Sequence, residues 1–263
     1  MKSIGIIGFG NMGEAFAAGL RKNMTNLSIN VYEPVRIKTE RAREMYKASL
    51  CSSLAELFKE SEICIVAVKP QNLDDLIANS GNHAEGKKII SIAAGVSIRH
   101  LKDKLRTEHV IRFMPNIAAM EGKAFIGVSY HGSPAKEFLE NALHIADSIG
   151  TSLVVPETLV PAVTGLSGSG IAFVFAFIHA LSLGGTKCGI PYNDAVSIAV
   201  STLEGAAALI NSSKEHPEVL LNRVTSPAGT TIEGIAQLES GAFTSSVINA
   251  VEAATNRALE LER

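Results

Sequence analysis

Three glycines, Gly8, Gly10 and Gly13, break the apolar opening "IGIIGFGNMG" at the spacing G-x-G-x-x-G. An apolar run precedes them, and a helix pattern from Met12 to about Lys22 begins inside the motif. This context predicts a buried strand that turns sharply into a helix whose first N–H groups face a phosphate. Gly8 permits the tight turn, Gly10 lets the backbone approach a pyrophosphate, and Gly13 lets the helix lie close on the strand. Asn11 and Met12 then stand in the helix's first turn, where N–H groups have no intrahelical partner. A merely flexible turn is the competing reading, and the position of the motif at the head of a repeating strand and helix pattern disfavours it.

That repeating pattern runs to about residue 155. "SIGIIG", "LSINVYE", "EICIVAV", "KKIISIA" and "HVIRFM" are rich in Ile and Val, as strands buried on both faces are. "KAFIGVSY" and "TSLVVP" flank a helical "SPAKEFLENALHIADSIG", with Ser133 expected to cap its start and Gly150 its end. After Pro156 the chain becomes Ala-rich, with long stretches whose apolar positions recur at helical spacing. The expected fold is α/β: a Rossmann-type parallel-sheet dinucleotide-binding domain over 1–155, then an all-helical substrate-binding and dimerisation domain over 156–263. The first helix of that second region is apolar on nearly every side, which predicts burial all round, against a second subunit.

The remaining composition narrows the function classes. Among 263 residues, 24 Lys and Arg balance 26 Asp and Glu, and no run of like charge marks a nucleic-acid or membrane-surface footprint. Cys51, Cys64 and Cys188 form no C-x-x-C pair or metal-ligand cluster, so no metal is expected, and their scarcity fits a reducing compartment. Gly, Pro or charges interrupt the apolar runs before about 18 residues, so no membrane span is expected and the cytoplasm is the expected location. A small-molecule partner is favoured.

The strand ends nominate the cofactor residues. Glu33 ends the second strand 20 residues beyond Gly13, where an acid accepts hydrogen bonds from the ribose hydroxyls and repels a 2′-phosphate. Arg36 argues the other way, since a guanidinium pairs with that phosphate. NADH and NADPH both stay open, with the acid tilting the reading toward NADH. Val68, Lys69 and Pro70 in "AVKPQ" lean over the cofactor from the end of the next strand. Ala94 and Gly95 in "AAGVS", with Pro115 and Asn116 in "RFMPN", are the candidates to face the nicotinamide.

Taken together, "IGIIGFGNMG", "AVKPQ", "SIAAGVS", "RFMPN", "GLSGSG" and above all "NRVTSPAGTTIEGIAQLE" resemble pyrroline-5-carboxylate reductase across nearly the whole chain, in the family's order. The resemblance implies an oxidoreductase of proline biosynthesis that reduces a carboxylate-bearing cyclic imine with NAD(P)H. It also implies a homodimer, in the family commonly a ring of dimers. It places the substrate at Val224, Ser226, Gly229, Thr230 and Thr231. Pro227 and Gly229 suit a tight loop there. The Ser226 hydroxyl and the N–H groups of Gly229 and Thr230 are then placed for the carboxylate at a positive helix end. Thr231 resembles the family threonine beside the ring nitrogen and is the one catalytic candidate. Imine reduction needs little acid catalysis, which accounts for the lack of an acid/base triad. His179, on the apolar helix, reads as a packed or interface histidine, and His216 as a helix-entry residue.

Several positions depart from the family. Ile117-Ala118 stand where it has Thr-Pro, Ile171-Ala172-Phe173 where it has Pro-Ala-Tyr, His179 where it has Glu, and Ala228 where it has Gly. They keep two alternatives open: a non-catalytic NAD(P)-binding paralogue and a reductase of a related cyclic imine. A β-hydroxyacid dehydrogenase is disfavoured, because "IAFVFAFIHAL" after Gly170 carries no lysine for the hydroxyl proton.

Overall fold

The computed structural model describes residues 1–262. The chain opens β1 (Ser3–Ile7), α1 (Asn11–Asn23), β2 (Ser28–Tyr32), α2 (Arg36–Tyr46), β3 (Ser49–Leu50), α3 (Leu54–Glu60), β4 (Ile63–Val66), α4 (Leu73–Ser80), β5 (Lys88–Ser91), α5 (Ile98–Leu105) and β6 (Val110–Pro115). There follow β7 (Ala124–Tyr130), α6 (Lys136–Asp147), β8 (Gly150–Val154) and the short α7 (Val160–Val163). The eight strands form one sheet in the order β3-β2-β1-β4-β5-β6-β7-β8. Every neighbouring pair is parallel except β6 and β7. Only the 3-10 turn Ile117–Glu121 joins those two, too short for the helical crossover that parallel pairing requires.

Apolar residues cover both faces of the sheet. Phe16, Leu20, Ile29 and Phe113 lie in one buried cluster, and Leu57, Phe58, Ile89 and Leu101 in the other. The Ile and Val runs therefore sit where doubly covered strands belong.

Helix α6 differs from expectation at both ends. Ala135 precedes it with no side-chain cap, and its C-terminal cap is Ser148. Ser133 lies two residues before Ala135 and does not cap the helix. Gly150 instead starts β8 opposite Ala124, where a Cβ would fall 1.9 Å from the Ala124 carbonyl oxygen. That glycine is set by strand contact and not by helix termination.

Two compact units emerge: residues 1–168 with the segment from Ala253 onward, and Ser169–Glu252. The second unit is helical, built from α8 (Gly170–Lys187), α9 (Tyr192–Ser213), α10 (Pro217–Val224), α11 (Thr230–Ser240) and the first part of α12 (Phe243–Glu260). In α8 only Ser182 is buried and Phe175 is 62% exposed, so within a single chain the apolar helix is not covered all round.

Two stretches, Glu157–Lys187 and Tyr192–Ser213, are long and apolar enough to cross a membrane by length and composition. The expectation that no run reaches that length is therefore corrected. Gly, Ser and Thr interrupt a string of large apolar residues without breaking a helix or lowering its mean hydropathy far, and such residues are common in membrane-spanning helices.

Candidate cofactor and substrate site

The glycine-rich turn adopts the form its spacing predicts. Gly8 has φ of +91°, a conformation open to glycine at little cost, and its N–H donates to the Tyr32 carbonyl at 2.9 Å. Gly13 leaves no room for a Cβ beneath the Gly8 carbonyl, whereas a Cβ on Gly10 would meet nothing within 4 Å. The first glycine turns the chain, the third packs helix on strand, and the second faces open space. Gly10 precedes α1 without any side-chain cap, which leaves first-turn N–H groups of α1 for a ligand. Asn11 is exposed and Met12 leans on the core, so both offer backbone groups more than side chains.

That open space belongs to a cleft of about 570 Å³ at the carboxyl ends of β1, β2 and β4. The strand order reverses direction between β1 and β4, the place where doubly wound sheets bind ligands. Gly8, Gly10, Glu33, Val68 and Lys69 all line it. Glu33 accepts from the Phe9 N–H at 2.7 Å and the Val35 N–H at 3.0 Å, and its side chain is 6% exposed. Its carboxylate therefore ties the glycine-rich turn to the end of β2.

Arg36 is not brought to this cleft. Its guanidinium is 91% exposed and pairs with Glu40 at 2.8 Å. Lys38 lines the cleft instead, with its Nζ 3.8 Å from Glu33 Oε2. Residues two apart on a helix point about 200° apart, so α2 turns one cation inward and the other away.

Pro70, Ala94 and Gly95 line a second cavity of about 370 Å³ in the same unit, shared with Arg112, Thr164 and Leu261. Pro115 and Asn116 line neither space. Asn116 is a joint: its Nδ2 donates to Ser167 Oγ at 2.9 Å, and its Oδ1 accepts from the Ala118 N–H at 3.2 Å. It holds the π-helical turn Thr164–Gly168 against the end of β6.

In the helical unit, residues 224–231 form the expected turn into α11. Val224, Ser226 and Thr230 are exposed and Thr231 is half-buried. A Cβ on Gly229 would fall 2.3 Å from Ser226 Oγ, so the glycine lets the Ser226 hydroxyl keep its place in the turn. The Gly229 N–H is not free for a carboxylate as expected, because it donates to the Ser226 carbonyl at 3.1 Å and closes the turn. The first N–H groups of α11, at Thr230 and Thr231, have no such earlier carbonyl in the helix. Ala228 sits at φ of +54°, the left-handed region.

His216 caps α10, its Nδ1 accepting from the Glu218 N–H at 3.3 Å. His179 Nδ1 lies 2.9 Å from the Tyr192 hydroxyl. Among the described residues, no group of three or more His, Cys, Asp or Glu is placed to hold a metal.

Sequence reasoning missed Lys38 and Arg112. The second had a visible signal, a lone cation inside the apolar run "HVIRFM".

Known proteins resemble the chain end to end. A family profile described as pyrroline-5-carboxylate reductase dimerisation matches residues 157–261, and one described as NADP oxidoreductase, coenzyme F420-dependent, matches residues 3–95. The pyrroline-5-carboxylate reductase of Methanosarcina acetivorans is 40% identical, covering 99% of this chain and 98% of that protein. That of Synechocystis is 38% identical, covering 98% and 97%. A solved pyrroline-5-carboxylate reductase from Coxiella burnetii superposes with a TM-score of 0.93 at 27% identity, over 99% of this chain and 98% of that one. The Plasmodium falciparum enzyme, solved with NADP bound, gives 0.87 at 25% identity, over 100% and 98%.

A glycine-rich turn opening on a cleft at the sheet's reversal point, followed by a helical dimerisation region, defines an NAD(P)-dependent oxidoreductase. The chain belongs to the pyrroline-5-carboxylate reductase family.

Proposed function

We propose that the chain reduces 1-pyrroline-5-carboxylate to L-proline with NADH or NADPH. The observation that carries the reading is full-length identity of up to 40% to reductases named for that substrate, joined to a cleft onto which Gly10 opens. The residues fit a dinucleotide. Gly8, Gly10 and Gly13 with the start of α1 hold the pyrophosphate, Glu33 takes the ribose, and Val68 and Lys69 flank the chain of the cofactor. When bound, the nicotinamide supplies the hydride.

This chain's own residues then bind and orient the imine. The N–H groups of Thr230 and Thr231, at the positive end of α11, hold the substrate carboxylate. Ser226 adds a hydroxyl to the same group. The Thr231 hydroxyl accepts from the protonated ring nitrogen. Hydride addition at the imine carbon moves the π electrons onto that nitrogen, which already carries its proton. No further acid is needed, and catalysis rests on positioning, with reacting atoms held about 3 to 3.5 Å apart.

For the cofactor, Glu33 favours NADH, with about two of a carboxylate's roughly four acceptor sites left after the Phe9 and Val35 N–H groups are counted. Lys38 tempers that preference, because its ammonium lines the cleft beside Glu33.

The helical unit pairs with a second copy of this chain. Its apolar groove of about 680 Å³, lined by Phe173, Phe177, Leu181, Leu238 and Phe243, lies inside the dimerisation match. The exposed faces of α8 and α9 meet protein there, not lipid, in a cytoplasmic dimer that assembles into a ring.

The test is to mix purified protein with NADH or NADPH and pyrroline-5-carboxylate and follow nicotinamide absorbance. Proline formation is expected. Thr231→Ala should lower kcat about tenfold or more, the scale of one oriented hydrogen bond to a charged group, with cofactor affinity unchanged. Absence of turnover with either cofactor would leave a binding paralogue or a reductase of a related cyclic imine.

A further inference from the structure

A charged cluster buried on the interior strand β6 has no part in the chemistry above. Arg112, on β6 between Ser91 of β5 and Ser129 of β7, has a side chain 3% exposed. One nitrogen, Nη1, meets two carboxylates: Glu157 Oε1 at 3.1 Å and Glu262 Oε1 at 3.0 Å. Its Nε is buried without a partner. The guanidinium is thus held by where two acids stand, not by satisfying all its own donors.

Each acid leads to the loop 93–97. Glu157 Oε1 also accepts from the Ile98 N–H at 2.7 Å, the first residue of α5 and the next residue after that loop. Glu157 Oε2 lies 2.7 Å from His131 Nε2, which fixes its other side. Glu262 follows Leu261, whose carbonyl oxygen would stand 2.6 Å from a Cβ on Gly95. Gly95, at φ of +72°, lets this segment press directly onto the loop.

We propose that Arg112 is a positioning residue for hydride transfer. It clamps the loop 93–97 from both sides, through Glu157 at the start of α5 and through Glu262, whose neighbour Leu261 rests on Gly95. The clamp sets the height of Ala94 and Gly95 against the nicotinamide. This rests on the assignment of the sheet edge to the cofactor, and not on the identity of the imine. A buried ion cluster is a weak source of net stability, because desolvation offsets much of the attraction, but it fixes geometry.

Binding of NADH and of ADP-ribose, which lacks the nicotinamide, separates this role from a structural one. Glu262→Gln removes one charge from the half-exposed arm and keeps the side chain's shape. It should raise the NADH Kd about fivefold, leave the ADP-ribose Kd unchanged, and enlarge the primary isotope effect with 4-deuterated NADH. Arg112→Lys keeps the charge but loses the planar fork, and should do the same more strongly. Where Arg112→Lys fails to fold, the Glu262→Gln result alone decides. Equal weakening of both ligands, or an NADH Kd and isotope effect at the wild-type level in Glu262→Gln, would overturn the proposal. Because the binding arm uses no imine, it reports on the clamp even if pyrroline-5-carboxylate proves to be the wrong substrate.

Discussion

Gly13 stands so close beneath Gly8 that a Cβ on the former would stop 2.1 Å from the carbonyl oxygen of the latter. Two glycines five residues apart thereby lock α1 onto β1, and the third, Gly10, is free of any such contact. Gly13→Ala should therefore cost about 3 kcal/mol, the upper end of overpacking penalties, since backbone cannot swing aside. Thermal unfolding checks it, with a fall of about 6 to 12 °C expected for a unit of this size. Gly10→Val should leave the melting temperature nearly unchanged and weaken NAD(H) binding at least about tenfold, or about 1.4 kcal/mol.

Lys38 and not Arg36 should govern tolerance of the 2′-phosphate. Lys38→Met is expected to lower kcat/KM for NADPH about tenfold or more, the worth of a hydrogen bond to a charged group. The value for NADH should stay within about twofold of wild type on the same reasoning. Arg36→Met, whose guanidinium already faces solvent and Glu40, should change neither. A matched NADPH loss in both variants would count against the geometry of α2.

Ala228 holds a left-handed conformation that costs an L-residue roughly 1 to 2 kcal/mol. Ala228→Gly should stabilise the protein by about 1 kcal/mol, less than the full strain because glycine loses more entropy on folding. Denaturant midpoints check the sign.

The thiols should report on the sheet unit. Burial pushes Cys64 up to about 12 and Cys51 up to about 11, above the usual thiol value. The folded state therefore holds those protons more tightly than the unfolded chain. That contribution is present in full below the ordinary thiol pKa and is lost as pH rises through about 11 and then about 12. At pH near 8, Cys64 should resist iodoacetamide until denaturant is added, as mass spectrometry of the labelled peptide would register.

The parts of this architecture that repeat a chemical pattern were legible in the sequence. The successive pairs Ile6-Ile7, Ile65-Val66 and Ile89-Ile90, each split between the two buried clusters, announce covered strands because burial on both faces demands apolar residues in succession. The roles of Gly8 and Gly13 follow from spacing alone. What escaped notice depends on direction or on distant partners. β3 is only Ser49–Leu50, both exposed, and carries no periodic signal. Arg36 and Lys38 are both cations near a strand end, and only the phase of α2 separates them. Asn116 reads as a site residue from its motif, yet its hydrogen bond to Ser167 spans a sequence distance no local pattern encodes.

The assignment of Ala253 onward to the sheet unit, with Leu261 resting on Gly95, sets an order of events during synthesis. A nascent chain emerging from the ribosome can pair all eight strands before the helical insertion exists. Until Leu261 and Glu262, which follow α12, are made, however, Gly95 lacks its cover and Arg112 one of its two acids. The sheet unit's own core therefore forms before the segment that closes over its loop 93–97.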